Sequence, residues 1–272
     1  MFNNKQTSRL LSSPYIAWAV IFIVVPLAMI FFYGLTDESG AFTFANVAAI
    51  GRAENLKSLG LALVLAFIST IICFLLAYPL AMILARNKIS SQGIITTLFI
   101  LPMWMNFLLR TMAWMTLLEN KGVINGLLSF VGLPNINIIN TSSAIVIGMV
   151  YNFLPFMILP LYNSLARIDD SVINAARDLG ANAVQTFFKI TLPLTIPGIL
   201  SGITMVFIPA LTTFAISTML GGSKILLIGN VIEQEFTLSY DWNMGAGLSL
   251  VLMLFIIVNM VITMMTDKSS YN

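Results

Sequence analysis

The residue types that carry most enzyme chemistry are nearly absent from this 272-residue chain. It has no His, which removes the commonest general base and metal ligand and any Ser-His triad. Its one Cys, Cys73, can form neither an internal disulfide nor a thiolate metal site. The nearest approach to a phosphate-binding loop, Gly221-Gly222-Ser223-Lys224, lacks the first glycine and the Ser or Thr after the lysine. The sequence therefore predicts no catalytic residue, no metal site, no bound cofactor and no ATP hydrolysis by this chain itself.

The remaining polar and aromatic residues are of types that can bind a small cation. Carboxylates attract ammonium groups, and aromatic rings stack against them. The candidate residues of a substrate path are Trp104, Asn106, Arg110, Tyr151, Asn152, Glu233, Glu235 and Asp241. Structural roles are the alternative: solvated loop charge for the three acids, an interhelical amide hydrogen bond for Asn106 and Asn152, and a snorkelling side chain for Arg110.

The elements that must position these residues are membrane-spanning helices. Hydrophobic residues make up 58% of the chain and charged residues 9%, with a mean hydropathy of +0.95, whereas soluble proteins have about 45–50% and about 25%. Windows of about 19 residues predict six spans in one membrane domain. The predicted spans are 15–33, 59–85, 94–118, 142–161, 194–220 and 245–265. The first is too long for a signal peptide and no small-residue cleavage site follows it, so we interpret it as a retained span.

The distribution of Lys and Arg predicts that both termini are cytoplasmic. With the N-terminus inside, eight basic residues lie on the cytoplasmic side, four lie outside and one, Arg110, lies within the membrane. This asymmetry follows the positive-inside rule. The net charge of +2 is too small and too dispersed to predict a nucleic-acid partner.

The inner loop between the fourth and fifth spans, residues 162–193, is much longer than a turn requires. Its apolar residues share the i, i+3, i+4, i+7 spacing of one helical face: Val172, Ala175, Ala176 and Leu179. Asp170 or Ser171 can cap the start of this helix, and Gly180 stands where a glycine commonly ends one. A helix this short is marginal alone in water, so we expect it to pack against a partner or to lie on the membrane surface.

This loop resembles the EAA loop of type I ABC-importer permeases, in which E-A-A-x-x-x-G is followed after nine residues by I-x-L-P. Six residues match that pattern in register: Ala175, Ala176, Gly180, Ile190, Leu192 and Pro193. Asn174 departs from it, because the pattern has Glu there. With Ser171 as the N-cap, Asn174 would be the third helical residue, where a capping-box Glu stands. By the resemblance, these residues couple the chain to an ATPase together with Val172 and Leu179, and Asp178 supplies the missing charge.

The resemblance implies an all-α fold with six transmembrane helices in a bacterial inner membrane. A permease core would cover residues 59–265 and contain the coupling loop at about 164–193. Residues 1–58 would form the cytoplasmic N-terminus, the first span and an outer loop, and residues 266–272 a cytoplasmic tail. ATP and Mg would be used by separate ATPase subunits.

A narrower resemblance points to the substrate. Residues 101–128 are similar to the third-span region of spermidine/putrescine permeases of the PotB type, and LGGSKILLIGNVIEQEF and DWNMGAGLSLVLM resemble their last outer loop and sixth span. It implies polyamine import with a second permease of the PotC type, an ATPase dimer of the PotA type and an extracytoplasmic polyamine-binding protein of the PotD type, in contact with membrane lipid. The alternatives are an ABC-importer permease for another small solute and a secondary carrier or channel without an ATPase. The missing His and the absence of carboxylates from the predicted spans disfavour an intramembrane enzyme.

Overall fold

The computed structural model describes residues 14–86, 101–222 and 224–269, and these residues form helices joined by short loops. The helices of six or more residues are α1 (Pro14–Gly34), α2 (Ala53–Arg86), α3 (Phe107–Leu118), α4 (Val123–Phe130), α5 (Ser142–Ala166), α6 (Asp170–Asp178), α7 (Ala183–Leu194), α8 (Ile196–Thr212), α9 (Ala215–Leu220), α10 (Ile228–Thr237) and α11 (Trp242–Ser269). An isolated β-bridge joins Thr36 and Phe42. The predicted all-α class is confirmed.

Apolar helices long enough to cross a membrane account for most of the predicted spans. Helices α1, α2, α5 and the Trp242–Val261 part of α11 qualify individually, and α7 with α8 qualifies as one pair bent by 64°. They correspond to the first, second, fourth, sixth and fifth predicted spans. The chain is therefore a multi-pass membrane protein, as its composition indicates.

Two spans differ from the continuous helices that hydropathy predicts. In the third, the described helix begins only at Phe107, because the Asn106 side chain accepts a hydrogen bond from the Leu108 N–H at 2.8 Å and caps it; residues 94–100 lie outside the described chain. In the fifth, the chain bends at Thr195 and the helix is interrupted between α8 and α9, where Thr213 has an extended backbone. Hydropathy does not detect these helix ends and bends, because one capping or bending residue changes the mean hydropathy of a window very little.

The described contacts divide the chain into two compact units. We call Met1–Leu56 with Val231–Phe255 the N-terminal unit, and Lys57–Asn230 with Ile256–Asn272 the central unit. The domain boundaries predicted from the sequence stay a prediction.

Small residues let helices approach closely within the central unit. A Cβ on Gly198 of α8 would lie 2.6 Å from the Ser164 side chain of α5, and a Cβ on Gly202 would lie 2.6 Å from the Met157 sulfur. On α2, the buried Ser69 hydroxyl contacts the Met149 sulfur of α5 at 3.4 Å. Close packing at small residues is how membrane helices associate without a hydrophobic driving force. Helix α5 is thereby fixed between α2 and α8.

Candidate functional site

Helix α6 lies in the loop that resembles a coupling loop, and its first turn is closed by a local hydrogen bond. The N-cap is Asp169, whose Oδ1 accepts a hydrogen bond from the Ser171 backbone N–H at 2.9 Å. That bond is the main reason why the pKa of the Asp169 carboxyl lies below its ordinary value of 3.8. A carboxylate at this end also interacts favourably with the helix dipole.

The other end of α6 is closed by a Schellman motif. The Gly180 N–H donates to the Arg177 carbonyl at 2.8 Å, and the Ala181 N–H donates to the Ala176 carbonyl at 3.0 Å. Gly180 has φ +85°, a conformation that costs other residues about 1–2 kcal/mol. A Cβ there would meet nothing within 4 Å, so the glycine is needed for its backbone conformation alone.

The predicted apolar face of α6 points mostly away from the rest of the described chain. Leu179 is 89% exposed, and Val172 and Ala175 are also exposed, whereas Ala176 is buried. Exposed apolar side chains on a helix capped at both ends form a ready docking surface. We call Val172, Ala175 and Leu179 the docking face; Asn174 and Asp178 lie exposed beside it.

The prediction that position 174 is the third helical residue of α6 is wrong. The cap is Asp169 rather than Asp170 or Ser171, so the third helical residue is Val172 and Asn174 lies two positions further on. The cause is local: the side chain of Asp169, one residue before Asp170 and two before Ser171, accepts a hydrogen bond from the Ser171 N–H. A Glu at position 174 would therefore be too far along the helix to form a capping box.

The second half of the coupling loop is joined to the helix bundle. Helix α7 starts with a capping box between Asn182 and Gln185, and Ile190, Leu192 and Pro193 lie in its last turns. At the bend that follows, the buried Thr195 hydroxyl lies 2.9 Å from the Tyr78 hydroxyl of α2. The Tyr78 ring also contacts Phe187 of α7 edge-on, with centroids 5.6 Å apart.

The contacts of Tyr78 and Thr195 give the coupling loop a rigid connection to α2, which the sequence analysis did not identify. The signal available in the sequence was a Thr between Pro193 and Pro197, two residues that have no backbone N–H to donate to a helical hydrogen bond. The buried Thr195 hydroxyl at this bend has two neighbours, the Leu192 carbonyl and the Tyr78 hydroxyl, each at 2.9 Å.

Glu235 and Asp241 line one cavity of about 650 Å³ in the N-terminal unit. We call it the acidic cavity; its lining residues are Met29, Tyr33, Glu38, Glu235, Ser239, Tyr240, Asp241, Trp242 and Asn243. Three of these residues are acidic and three aromatic, and none of them is Lys or Arg. Carboxylates and aromatic faces together suit an ammonium ligand. The third predicted acid, Glu233, is on α10 and accepts a hydrogen bond from Thr237 instead.

Glu38 is an acidic-cavity residue that the sequence analysis missed. The preceding Asp37 closes a tight turn, because its Oδ1 accepts hydrogen bonds from the Ser39 hydroxyl and the Ser39 and Ala41 N–H groups. These bonds, that from the Ser39 hydroxyl first, hold the pKa of the Asp37 carboxyl below its ordinary value. The carboxylate of Asp37 is thus bonded within the turn, whereas Glu38 lines the acidic cavity.

Polar contacts hold the two sides of the acidic cavity together. The Asn243 Nδ2 donates to the Thr36 carbonyl at 2.6 Å and to the Tyr33 carbonyl at 3.1 Å, and the Asn46 Nδ2 donates to the same Thr36 carbonyl. Asn243 is thereby joined to the backbone of Tyr33 and Thr36, some 200 positions earlier in the sequence.

One lining residue of the acidic cavity, Tyr240, has a strained backbone. Its φ is +54°, in the left-handed region that bulky residues rarely adopt. Asp241 follows it and caps α11, accepting a hydrogen bond from the Met244 N–H at 2.8 Å. Strain of this kind accumulates at functional sites, where surrounding contacts maintain it.

The other predicted substrate-path residues lie in the central unit, and they do not form the expected amide bonds. Asn106 caps α3, and Asn152 donates to the Gly148 carbonyl of its own helix at 2.9 Å. Neither bonds to another described helix, because a backbone group is closer in each case. The Asn152 Oδ1 is buried and accepts no hydrogen bond from the described chain.

Aromatic contacts bring one pair of helices together near these amides. Tyr151 of α5 contacts Trp114 of α3, with centroids 5.2 Å apart. Arg110, one turn earlier on α3, is only 8% exposed, and its Nε forms no hydrogen bond with a described residue. Its predicted snorkelling stays a prediction. Trp104 is exposed in a short 3₁₀ turn before α3.

The break between α8 and α9 is held by Asn230, which the sequence analysis also missed. Its Oδ1 accepts from the Ser217 hydroxyl and the Leu227 N–H, and its Nδ2 donates to the Phe214 carbonyl and the Thr218 hydroxyl. All four hydrogen-bonding positions of this buried amide are used. Irregular backbone at membrane depth needs such compensation. The break is therefore a fixed feature of the central unit.

Within the described residues, no group of three or more His, Cys, Asp or Glu side chains could hold a metal ion. The features available for function are thus a docking face on α6, a connection from its loop to α2, and the acidic cavity. Together with several membrane spans, they are features that suit a membrane transport protein.

Comparison with known proteins identifies the class more closely. Residues 77–268 match the family described as "Binding-protein-dependent transport system inner membrane component". The chain belongs to this family of inner-membrane permeases.

Curated relatives match over most of the chain. It is 36% identical over 255 residues to the Haemophilus influenzae "Spermidine/putrescine transport system permease protein PotB", covering 91% of this chain and 89% of that protein. It is 38% identical over 245 residues to the Escherichia coli protein of the same name, covering 87% and 89%.

Solved structures support the fold. A bacterial ABC transporter "involved in the import of the acidic polysaccharide alginate" contains a chain similar to this one with a TM-score of 0.76 at 18% identity, covering 98% of this chain and 96% of that one. A chain of the MetNI methionine ABC transporter matches with a TM-score of 0.56 at 17% identity, covering 79% and 95%. The predicted type I ABC-importer permease fold is confirmed.

Proposed function

We propose that this chain is the transmembrane subunit of an ATP-driven importer of polyamines. Its relatives named as spermidine/putrescine permeases support the substrate class, and the acidic cavity has the carboxylates and aromatic rings that a polyamine requires. The proposed assembly contains a second permease of the PotC type, an ATPase dimer of the PotA type and an extracytoplasmic binding protein of the PotD type. The chain binds no cofactor of its own, and the ATPase subunits use ATP and Mg.

The observation that carries the coupling half of the proposal is the docking face of α6. Leu179 is 89% exposed at the end of a helix capped on both sides, which is the arrangement that a partner protein can bind without refolding it. In the proposed mechanism the ATPase subunits close on ATP and displace α6. The Tyr78–Thr195 contact then transmits the displacement to α2. ATP binding thus favours one of two states of the permease pair, as any such switch requires.

The acidic cavity is the proposed entry of the substrate path. With both termini in the cytoplasm, as the positive-inside rule predicts, the segments that carry Glu38, Glu235 and Asp241 face outward. A polyamine released by the binding protein would meet these carboxylates first. Trp104, Asn106, Arg110, Tyr151 and Asn152, all in the central unit, are the other proposed residues of the substrate path.

The direct test is uptake of labelled spermidine into proteoliposomes that contain this chain with its permease and ATPase partners, loaded with ATP and supplied with binding protein. We expect uptake only when every component is present. Uptake by this chain without the ATPase would contradict the proposal and support a secondary carrier. ATP-dependent uptake of another solute but not of polyamines would retain the importer and reject the substrate.

A further inference from the structure

Helix α4 has its polar and apolar faces reversed relative to a helix that faces water. Val123, Leu127 and Phe130 are 56%, 62% and 90% exposed and share one face, with Gly126 between them. Its main polar side chain, Asn125, is instead buried. A helix in water places apolar residues inside and polar residues outside, so this arrangement requires a different surrounding.

The exposed apolar side chains of α4 are held outward by a rigid support. The Asn125 Nδ2 donates to the Glu119 and Ile136 carbonyls at 3.2 and 3.0 Å, and its Oδ1 accepts from the Ile136 N–H at 2.8 Å. The helix ends at Phe130, and Gly132 follows it with φ +78°, while the Leu133 N–H donates to the Leu128 carbonyl at 2.8 Å. The apolar face is therefore a fixed surface and not a mobile loop that could collapse inward.

We infer that α4 lies in the bilayer interface, with Val123, Leu127 and Phe130 inserted among lipid acyl chains. Charge favours lipid over a soluble partner, because residues 122–141 contain no charged side chain. Continuity favours it as well: α4 follows α3, whose Leu109 and Met112 are exposed, and residue 142 begins the spanning helix α5. An interfacial helix buries its apolar face about 5–10 Å into the boundary between headgroups and acyl chains.

The loop that follows α4 is also tied to the C-terminal end of α9. The Asn140 N–H donates to the Leu220 carbonyl at the end of α9 at 2.9 Å. Insertion of α4 would thus fix the level at which α9 ends relative to the membrane surface. The inference is independent of the transported solute.

The test is nitroxide labelling of single cysteines in the assembled transporter in lipid nanodiscs. Cys73 is buried and is first replaced by Ala. Labels at Leu127→Cys and Phe130→Cys are expected to be several-fold more accessible to oxygen than to a water-soluble nickel reagent, and the exposed control Asn120→Cys the reverse. A bimane label at Leu127→Cys, quenched by brominated lipid, gives a second measurement should the Phe130 variant fail to fold.

Three outcomes would overturn the inference. Nickel accessibility at positions 127 and 130 equal to that at position 120 would place α4 in water. Protection from both reagents only after binding protein is added would assign the face to that protein. Protection from both reagents in its absence, without quenching by brominated lipid, would assign the face to another subunit.

Discussion

The docking face of α6 and the acidic cavity are both surfaces suited to another molecule, but they are built in different ways. The docking face comes from one continuous stretch, in which residues 169–181 supply the helix, both of its caps and its exposed apolar side chains. The acidic cavity joins Glu38 to Glu235 and Asp241, almost 200 residues later, through hydrogen bonds from Asn243 to the backbone of Tyr33 and Thr36. Local chemistry builds the first surface, and tertiary contacts build the second.

The docking face and the acidic cavity also differ in the chemistry of their side chains. Burial of the apolar side chains of α6 against a partner lowers the free energy, because it removes them from water. This surface therefore suits a protein. Carboxylates and aromatic rings in the acidic cavity attract a cation without requiring it to be dehydrated completely. One surface therefore suits force transmission and the other suits passage of a solute. Variants that change one property should leave the other intact.

The largest effect is expected for Leu179→Asp on the docking face. Because Leu179 is 89% exposed, the substitution should leave folding intact. Loss of its burial against the ATPase would cost about 1.5–3 kcal/mol. We expect ATPase association measured on the solubilised complex to weaken about 10- to 100-fold, and uptake to fall with it.

The matched control for that substitution is Leu238→Asp, another exposed leucine, which lies in the N-terminal unit. It should associate with the ATPase normally. Equal losses in both variants would mean that α6 is not the docking surface. Ala176→Asp is unsuitable here, because Ala176 is buried and the variant would disturb α6 itself.

A smaller effect is expected when the acidic cavity is neutralised by Glu235→Gln with Asp241→Asn. The Asn can still cap α11 through its Oδ1, so the fold should be kept. Each removed charge is worth about 1 kcal/mol toward an ammonium group about 4 Å away in water. We expect the KM for spermidine to rise about 5- to 30-fold at low salt, with ATPase association unchanged.

Glu54→Gln is the control for the cavity variant, since Glu54 is an exposed acid in the first turn of α2 and does not line the cavity. It should leave the KM unchanged. A KM that is unaltered in the double variant would remove the acidic cavity from the substrate path.

The smallest effect is expected for Asn174→Glu. The third helical residue of α6 is Val172, so a glutamate at position 174 would lie beyond the first turn, where helix-dipole and capping effects fade. We expect ATPase association to change less than about twofold in a titration of the solubilised complex. A tenfold gain would show that an ATPase cation faces this position and that charge, more than apolar contact, governs docking.

The difference between the two regions also explains what the sequence could predict. The apolar face of α6 and its end at Gly180 follow from spacing and glycine chemistry, and long apolar runs located α1, α2 and α5 to within a few residues at most ends. The cap at Asp169 was misplaced by one or two residues, because Asp169, Asp170 and Ser171 are all good caps and only the side-chain conformation decides among them.

Tertiary hydrogen bonds account for the rest. Nothing near Glu38 in sequence indicates that it shares a cavity with Glu235, and Asn230 is an ordinary amide until the break beside Phe214 needs its hydrogen bonds. Asn106 looked like a mid-span amide and proved to be a helix cap. Polar residues in apolar segments thus marked places where a backbone group needed a partner, but the sequence did not say which group.

The most direct test of coupling through α6 is photocrosslinking in the assembled transporter. A benzophenone amino acid replaces Leu179 in one variant and Leu238 in another, and the products are identified by mass spectrometry. Crosslinks from position 179 to the ATPase subunit, and none from position 238, are the result we predict. No ATPase crosslink from position 179, in a preparation that still imports its solute, would contradict the account.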